Sequence, residues 1–424
     1  MDDEVTRRVF VHIGTPKTGT TYLQSLMWGS RAQLVEQGLL LPLDGVREHF
    51  YLSNIARSAS NAIESMPPSG QTSWTRMVDE VGVWDGDALI SHELFAACPA
   101  PRIRWVFDQL KPLCDEVHVI VTARDFPRQV LAEWQQSVKH GRTHTFAEYC
   151  AALEAEDPER TGKAGRHGSV LFWRVQDLPR LVEEWSKFTT PAHVHVVTVP
   201  SAGAPHSLLW ERFASVLGLE SGVVDISVTV PNESLGIDEI EAVRRVNLAI
   251  PAWVPRRGVQ TMIKQVLAEG VLAGRPSMRR FVAPPPLHAW ACERGAGMLG
   301  QLRETPCHVV GALDDLDPVC EQQAGPTPDD VDEAAVAKVA TEAIAALLFS
   351  PDNFAGTDTA HDHQRLAHVV DRRTHRLDEV RALLREERAV LAAERAHPLR
   401  TYARRTGGRL KRSVARFGRQ PDDA

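Results

Sequence analysis

Five residues within eight positions set the chemistry to look for. They are Gly14, Lys17, Gly19, Thr20 and Thr21, inside the run VFVHIGTPKTGTTYLQSLM at positions 9–27. Two glycines let a loop turn its backbone N–H groups inward, and a helix starting after them adds its positive N-terminal end. Such a loop cradles an anion, phosphate above all. The ATP and GTP version, G-x-x-x-x-G-K-[ST], carries lysine directly after the second glycine. Here Thr20 stands in that place, and the lysine, Lys17, lies inside the loop. The chain has 8 lysines against 40 arginines, so a lysine here is less easily dismissed as filler. No strand ends in the carboxylate that would hold magnesium, and no metal is expected. A lysine so placed suits an oxygen that bridges the phosphate to another group, where the chemistry would occur.

The elements that must position this loop read as alternating strands and helices. Apolar runs at 9–14, 88–91, 117–123 and 194–199 have strand character, with helical segments at 20–37, 101–114, 127–140, 175–187 and 206–217. This alternation predicts an α/β fold: three layers, α/β/α, around a central parallel sheet, with ligands at the C-terminal ends of the strands. Residues 236–350 read as a mostly helical elaboration of the same domain, 1–350. Within it CHVVGAL (307–313) is a late strand or an apolar loop, 321–330 a linker, and 332–349 a helix. Trp134 and Trp173 read as core residues. Residues 351–424 read as a helical, basic tail. A broken heptad (Val370, Leu377, Leu384, Leu391) allows either a homo-oligomeric coiled coil or a single packed helix. Eight Lys/Arg and no carboxylate between Pro398 and Arg419 suit contact with an anionic membrane surface or a solvated end.

With 424 residues, 43% hydrophobic and 24% charged, the composition is that of a soluble globular protein. A net charge of −7 argues against nucleic acid as a partner. No run reaches the ~18 apolar residues of a spanning helix, and MDDEVTRR lacks a signal-peptide core. Six scattered cysteines without a C-x-x-C pair suggest neither zinc nor disulfides, and the expected location is cytoplasmic, with membrane-peripheral contact open to the tail.

HIGTPKTGTTYLQ resembles the 5′-phosphosulfate loop of sulfotransferases that use 3′-phosphoadenylyl sulfate (PAPS), a P-loop-like family with a P-K-[ST]-G-[ST]-[ST] core. VTARDFPRQVLAEWQQSVKHG resembles that family's second element, and VHVVTVPSAG and PNESLG (231–236) resemble later ones, over most of 8–235. The resemblance implies a PAPS-dependent sulfotransferase acting on a hydroxyl or amine of a carbohydrate, glycolipid or other small metabolite. Donor contacts would fall on Thr15, Pro16, Lys17, Thr18, Gly19, Thr20 and Thr21, with Arg124 on the 3′-phosphate. Lys17 would be catalytic, neutralising the leaving oxygen. The family's serine eight residues after the arginine is Ala132 here; the nearest serine is Ser137, and Lys139 or Arg256-Arg257-Gly258 are substitutes. For the base that deprotonates the acceptor, Glu93 at the end of ALISHELF comes first, with His49 and His92 as alternatives. Two other readings stand beside this one: a small-molecule kinase, and an inactive sulfotransferase-like binding or scaffold protein.

Overall fold

A computed structural model of the chain describes residues 6–161, 170–201, 203–226, 234–254, 256–276, 278–321 and 324–349. The 361–397 heptad, the basic tail and the PNE of PNESLG lie outside them.

Six strands, β1 (Arg8–His12), β2 (Leu39–Leu40), β3 (Asp87–Ser91), β4 (Glu116–Ala123), β5 (Val194–Thr198) and β6 (His308–Val310), form one sheet. Their order is β2-β3-β1-β4-β5-β6, and every neighbouring pair is parallel. The late apolar segment is therefore a strand, β6, of three residues. The strands are rich in valine and isoleucine because both faces of a parallel sheet are covered. Side chains alternate between two cores. Val9, Val11, Ile90, Val119, Val121 and Val196 face one, and Phe10, Leu89, Ile120 and Val197 face the other.

The helices that bear on the site are α1 (Thr20–Gly29), α2 (Val46–Ala56), α3 (Ala100–Leu110), α4 (Phe126–Lys139), α5 (Leu178–Ser186), α6 (Ser207–Leu217), α7 (Ile237–Ala249) and α8 (Pro285–Glu304). Leu23, Leu26 and Met27 of α1 pack with Trp210 and Phe213 of α6 on one face of the sheet. Residues of α2, α3, α4, α5, α7 and α8 build the other core. The result is the three-layer α/β/α arrangement.

Local chemistry sets the helix ends. α4 begins because the Asp125 carboxylate accepts from the N–H of Arg128, with Pro127 in the first turn. The predicted 20–37 helix is broken at Ser30, where the chain leaves helical geometry before a second helix, Arg31–Glu36. The 175–187 helix is likewise two pieces. Val170–Gln176 ends before Asp177, whose side chain accepts from the N–H of Arg180 and caps α5. Strand β2 was not foreseen, since two residues inside LLLPL carry no period. All six cysteines are free. Met1–Leu347 form one compact unit, and no helix of the described residues is long and apolar enough to cross a membrane.

Candidate active site

β1 lies between β3 and β4, and the loop Ile13–Gly19 crosses the C-terminal rim there before α1 begins. Gly14 (φ 62°), Lys17 (φ 66°) and Gly19 (φ 83°) all adopt left-handed backbone. For the glycines this is unstrained; for Lys17 it costs about 1–2 kcal/mol. A Cβ at Gly19 would meet Leu209 Cδ2 at 2.5 Å, and one at Gly14 would meet Glu93 Cβ at 3.1 Å. The glycines thus permit close approach as well as the turn.

The loop is fixed from beneath. Ile13 N–H donates to Ile120 O at 2.9 Å and Thr15 N–H to Thr122 O at 2.9 Å. A buried chain of polar side chains adds to this: Ser91 Oγ lies 2.8 Å from His12 Nδ1, and His12 Nε2 lies 3.3 Å from Thr122 Oγ1. Thr122 Oγ1 lies 2.6 Å from Thr18 Oγ1, which donates to Thr15 O. Burial pushes His12 down to about 3, with the charge of His92 acting the same way. His12 is therefore neutral, and each hydroxyl and the Nε2–H can donate to the next group in one direction.

This accounting divides the residues expected to contact the donor. Thr15 spends its N–H and its hydroxyl on Thr122 O. Pro16 has no N–H, and its carbonyl accepts from Gln129 at 2.8 Å and Gln176 at 3.2 Å. The Thr18 hydroxyl is committed inside the network. These three shape the loop and offer their side chains to nothing above it. At the start of α1, by contrast, Gly19 is the cap and no side chain bonds the first-turn N–H groups. With the Thr20 and Thr21 hydroxyls, those N–H groups are the donors available to an anion.

Lys17 Nζ donates to Gln136 Oε1 at 2.5 Å. Desolvation brings its amine down to about 8; Glu133 opposes this, Lys139 and Lys264 add to it, and Glu93 opposes it. Gln129, Glu133 and Gln136 occupy one face of α4 at positions i, i+4 and i+7. Gln176 donates to Gln129's partner Pro16 and to Glu133 Oε1 at 3.4 Å. Burial raises Glu133 to about 7; Lys17 opposes the shift, Glu93 adds to it, and Gln176 opposes it. Glu133 was not anticipated, although its helical spacing from Gln129 and Gln136 was a readable signal of a polar face turned inward.

Glu93 opens the short turn Glu93–Ala97 that follows β3, and its side chain is 30% exposed. The two histidine alternatives are used otherwise. His49 is fully buried; its Nδ1 accepts from Ser91 N–H at 3.1 Å and its Nε2 lies 2.9 Å from Pro42 O. His92 Nδ1 accepts from Leu94 N–H at 3.1 Å. Both bonds fix the neutral Nε2–H tautomer and leave no basic nitrogen, and burial lowers both side chains, His49 to about 4.

Arg124 follows β4 directly. Its Nε is buried with no hydrogen-bond partner, and Asp125 Oδ2, at 3.9 Å, is bonded to Arg128 instead. Burial, with the charge of Arg128, lowers it to about 10 against the pull of Asp125. A cleft is lined by Lys17, Arg124, Ala132, Gln136, Lys139 and Ser234, among others. Ser137 cannot stand in for the absent serine, because its hydroxyl donates to Trp134 O within α4. Ser234, from SLG of the PNESLG segment, lines this cleft. Arg256, Arg257 and Gly258 open a short helix, Arg256–Thr261. Trp134 and Trp173 are 2% and 1% exposed, so both are core.

No family model matches the chain, and no curated protein matches it. Among solved structures it is similar to a sulfotransferase from Alicyclobacillus acidocaldarius, at 14% identity over 62% of this chain and 96% of that one, with a TM-score of 0.36.

Proposed function

We propose that the chain is a sulfotransferase that moves a sulfuryl group from PAPS to a hydroxyl or amine of a carbohydrate, glycolipid or other small metabolite. The observation that carries this reading is Lys17: a lysine held inside an anion loop, its charge coupled to two carboxylates, Glu93 and Glu133. A nucleotide with two separated phosphates fits the donors present. The uncapped start of α1 with Thr20 and Thr21 suits the 5′-phosphate, while the orphaned Arg124 Nε, Lys139 and Ser234 suit the 3′-phosphate in one cleft.

The donor supplies an activated sulfuryl group on a phosphate leaving group. Lys17 would offset negative charge developing on the departing oxygen. Glu93 would take the acceptor's proton. Glu133, with Gln129, Gln136 and Gln176, would hold the loop and the lysine in place, and its raised affinity for a proton keeps a second negative charge from accumulating beside Glu93. Positioning and charge compensation together suit an in-line transfer.

The test is a thermal-shift series. 3′-Phosphoadenosine 5′-phosphate should stabilise the chain without magnesium, and Arg124→Ala should weaken that effect. Stabilisation by ATP only with magnesium would favour a small-molecule kinase; no response to either would favour a non-catalytic binding protein. Sulfur-labelled PAPS with glycan, lipid or cell extracts would then identify the acceptor.

A further inference from the structure

We propose that Glu116, His118 and His193 form a site for a divalent transition-metal ion of the zinc class, at the opposite end of the sheet from the phosphate loop. Glu116 and His118, two residues apart at the start of β4, share a face. His193 closes the turn Pro191–His193 that feeds β5. His118 Nε2 lies 2.9 Å from Glu116 Oε2, and His193 Nε2 lies 3.7 Å from Glu116 Oε1. One donor atom from each of the three lies within 4.8 Å of the others. Zinc–nitrogen bonds of about 2.0–2.1 Å set tetrahedral edges of about 3.3 Å. The His193 ring stacks on that of His118, centroids 4.2 Å apart, so it would turn to aim its lone pair at a shared ion. The Glu116 and His193 side chains are 36% and 24% exposed, so an ion can enter and a water can take the fourth corner.

A second observation concerns what stands behind His118. Its other nitrogen, Nδ1, lies 2.8 Å from His195 Nε2, and His195 Nδ1 lies 2.7 Å from His308 Nδ1. The three rings sit on adjacent parallel strands β4, β5 and β6. This row can carry its protons in two directions with the same number of protons and no net charge. In one, His118 Nε2–H donates to Glu116. In the other, His118 donates through Nδ1 to His195, His195 donates to His308, and a lone pair on His118 Nε2 faces the Glu116 carboxylate. A cation between them makes that second state favourable. The row therefore gives a ligating histidine the outer hydrogen bond that metal sites require.

The site is separate from the candidate active site. Eight residues of extended strand part Glu116 from Arg124, about 26 Å at ~3.3 Å per residue. An ion there would tie the start of β4 to the turn entering β5 and stabilise the folded chain by mass action.

The tag-free chain should be titrated with Zn²⁺ by calorimetry and with Co²⁺ by visible absorption. We expect one ion per chain, a four-coordinate Co²⁺ spectrum abolished by Zn²⁺, and affinity lowered at least tenfold in His193→Ala and in Glu116→Gln. Lys17→Ala should bind as the parent does. The proposal is overturned if the parent binds no stoichiometric ion, or if the folded variants bind it equally well. Should Glu116→Gln fail to fold by circular dichroism, His193→Ala, on a part-exposed turn, decides alone.

Discussion

Lys17 combines a left-handed backbone with a desolvated amine, and both raise its free energy until an anion arrives. Its pKa of about 8 lies below the usual 10.5, so the positive charge is lost as pH rises through about 8. Affinity for 3′-phosphoadenosine 5′-phosphate should fall over that range. Lys17→Arg should move the limb out of reach, because guanidinium keeps its proton; calorimetry at pH 7 and 9 checks this. Lys17→Ala should lower turnover by about 10²–10³-fold with the circular-dichroism spectrum unchanged. Glu133 carries the opposite sign. Its folded pKa is raised to about 7 from 4.5, so the folded chain binds the extra proton between those values and stability falls as pH rises through them. Glu133→Gln should therefore melt higher than the parent at pH 8, and the gap should vanish near pH 4. Lys17, Gly14 and Gly19 were legible in the sequence because the loop's logic is local. Glu133 was not, since its raised proton affinity comes from burial, with Glu93 adding to it, and burial is decided by elements far apart in the sequence. His49 looked available because residue type does not reveal the two backbone partners that occupy its ring.

The strand-to-helix junctions give the site its tolerances. β3 delivers Glu93 against the bare Cα of Gly14, so a methyl group there both strains the φ of 62° and presses on Glu93 Cβ. Gly14→Ala should cut turnover by at least an order of magnitude while donor affinity, measured by calorimetry, falls less. Equal loss in both would mean that the loop itself, rather than Glu93, had been displaced. Strands β1, β3, β4 and β5 were legible from runs of β-branched residues, since a parallel sheet buries both faces. Helix interruptions at Ser30 and Asp177 were less so, because apolar periodicity passes through a one-residue break. The inward face of α4 could be read only as glutamines and a glutamate at helical spacing; what they hold belongs to other parts of the chain.

At the scale of the molecule, parallel strands send every C-terminal end to one rim, where the anion loop, Glu93 and Arg124 gather, and leave the histidine row on the other. The segment 398–419 adds eight positive charges to a chain whose net charge is −7. Near an anionic bilayer each is worth about 1 kcal/mol. The 424-residue chain should sediment with vesicles containing anionic lipid at low salt and be released at high salt. A variant with those eight residues changed to glutamine should stay in the supernatant at both. The hydrogen-bond chain from Ser91 through His12, Thr122 and Thr18 to Thr15 has a kinetic meaning as well. If the loop holds an anion as proposed, it is already braced, and binding would spend little on ordering it. On the proposed reading, turnover would then not wait on the ordering of this loop.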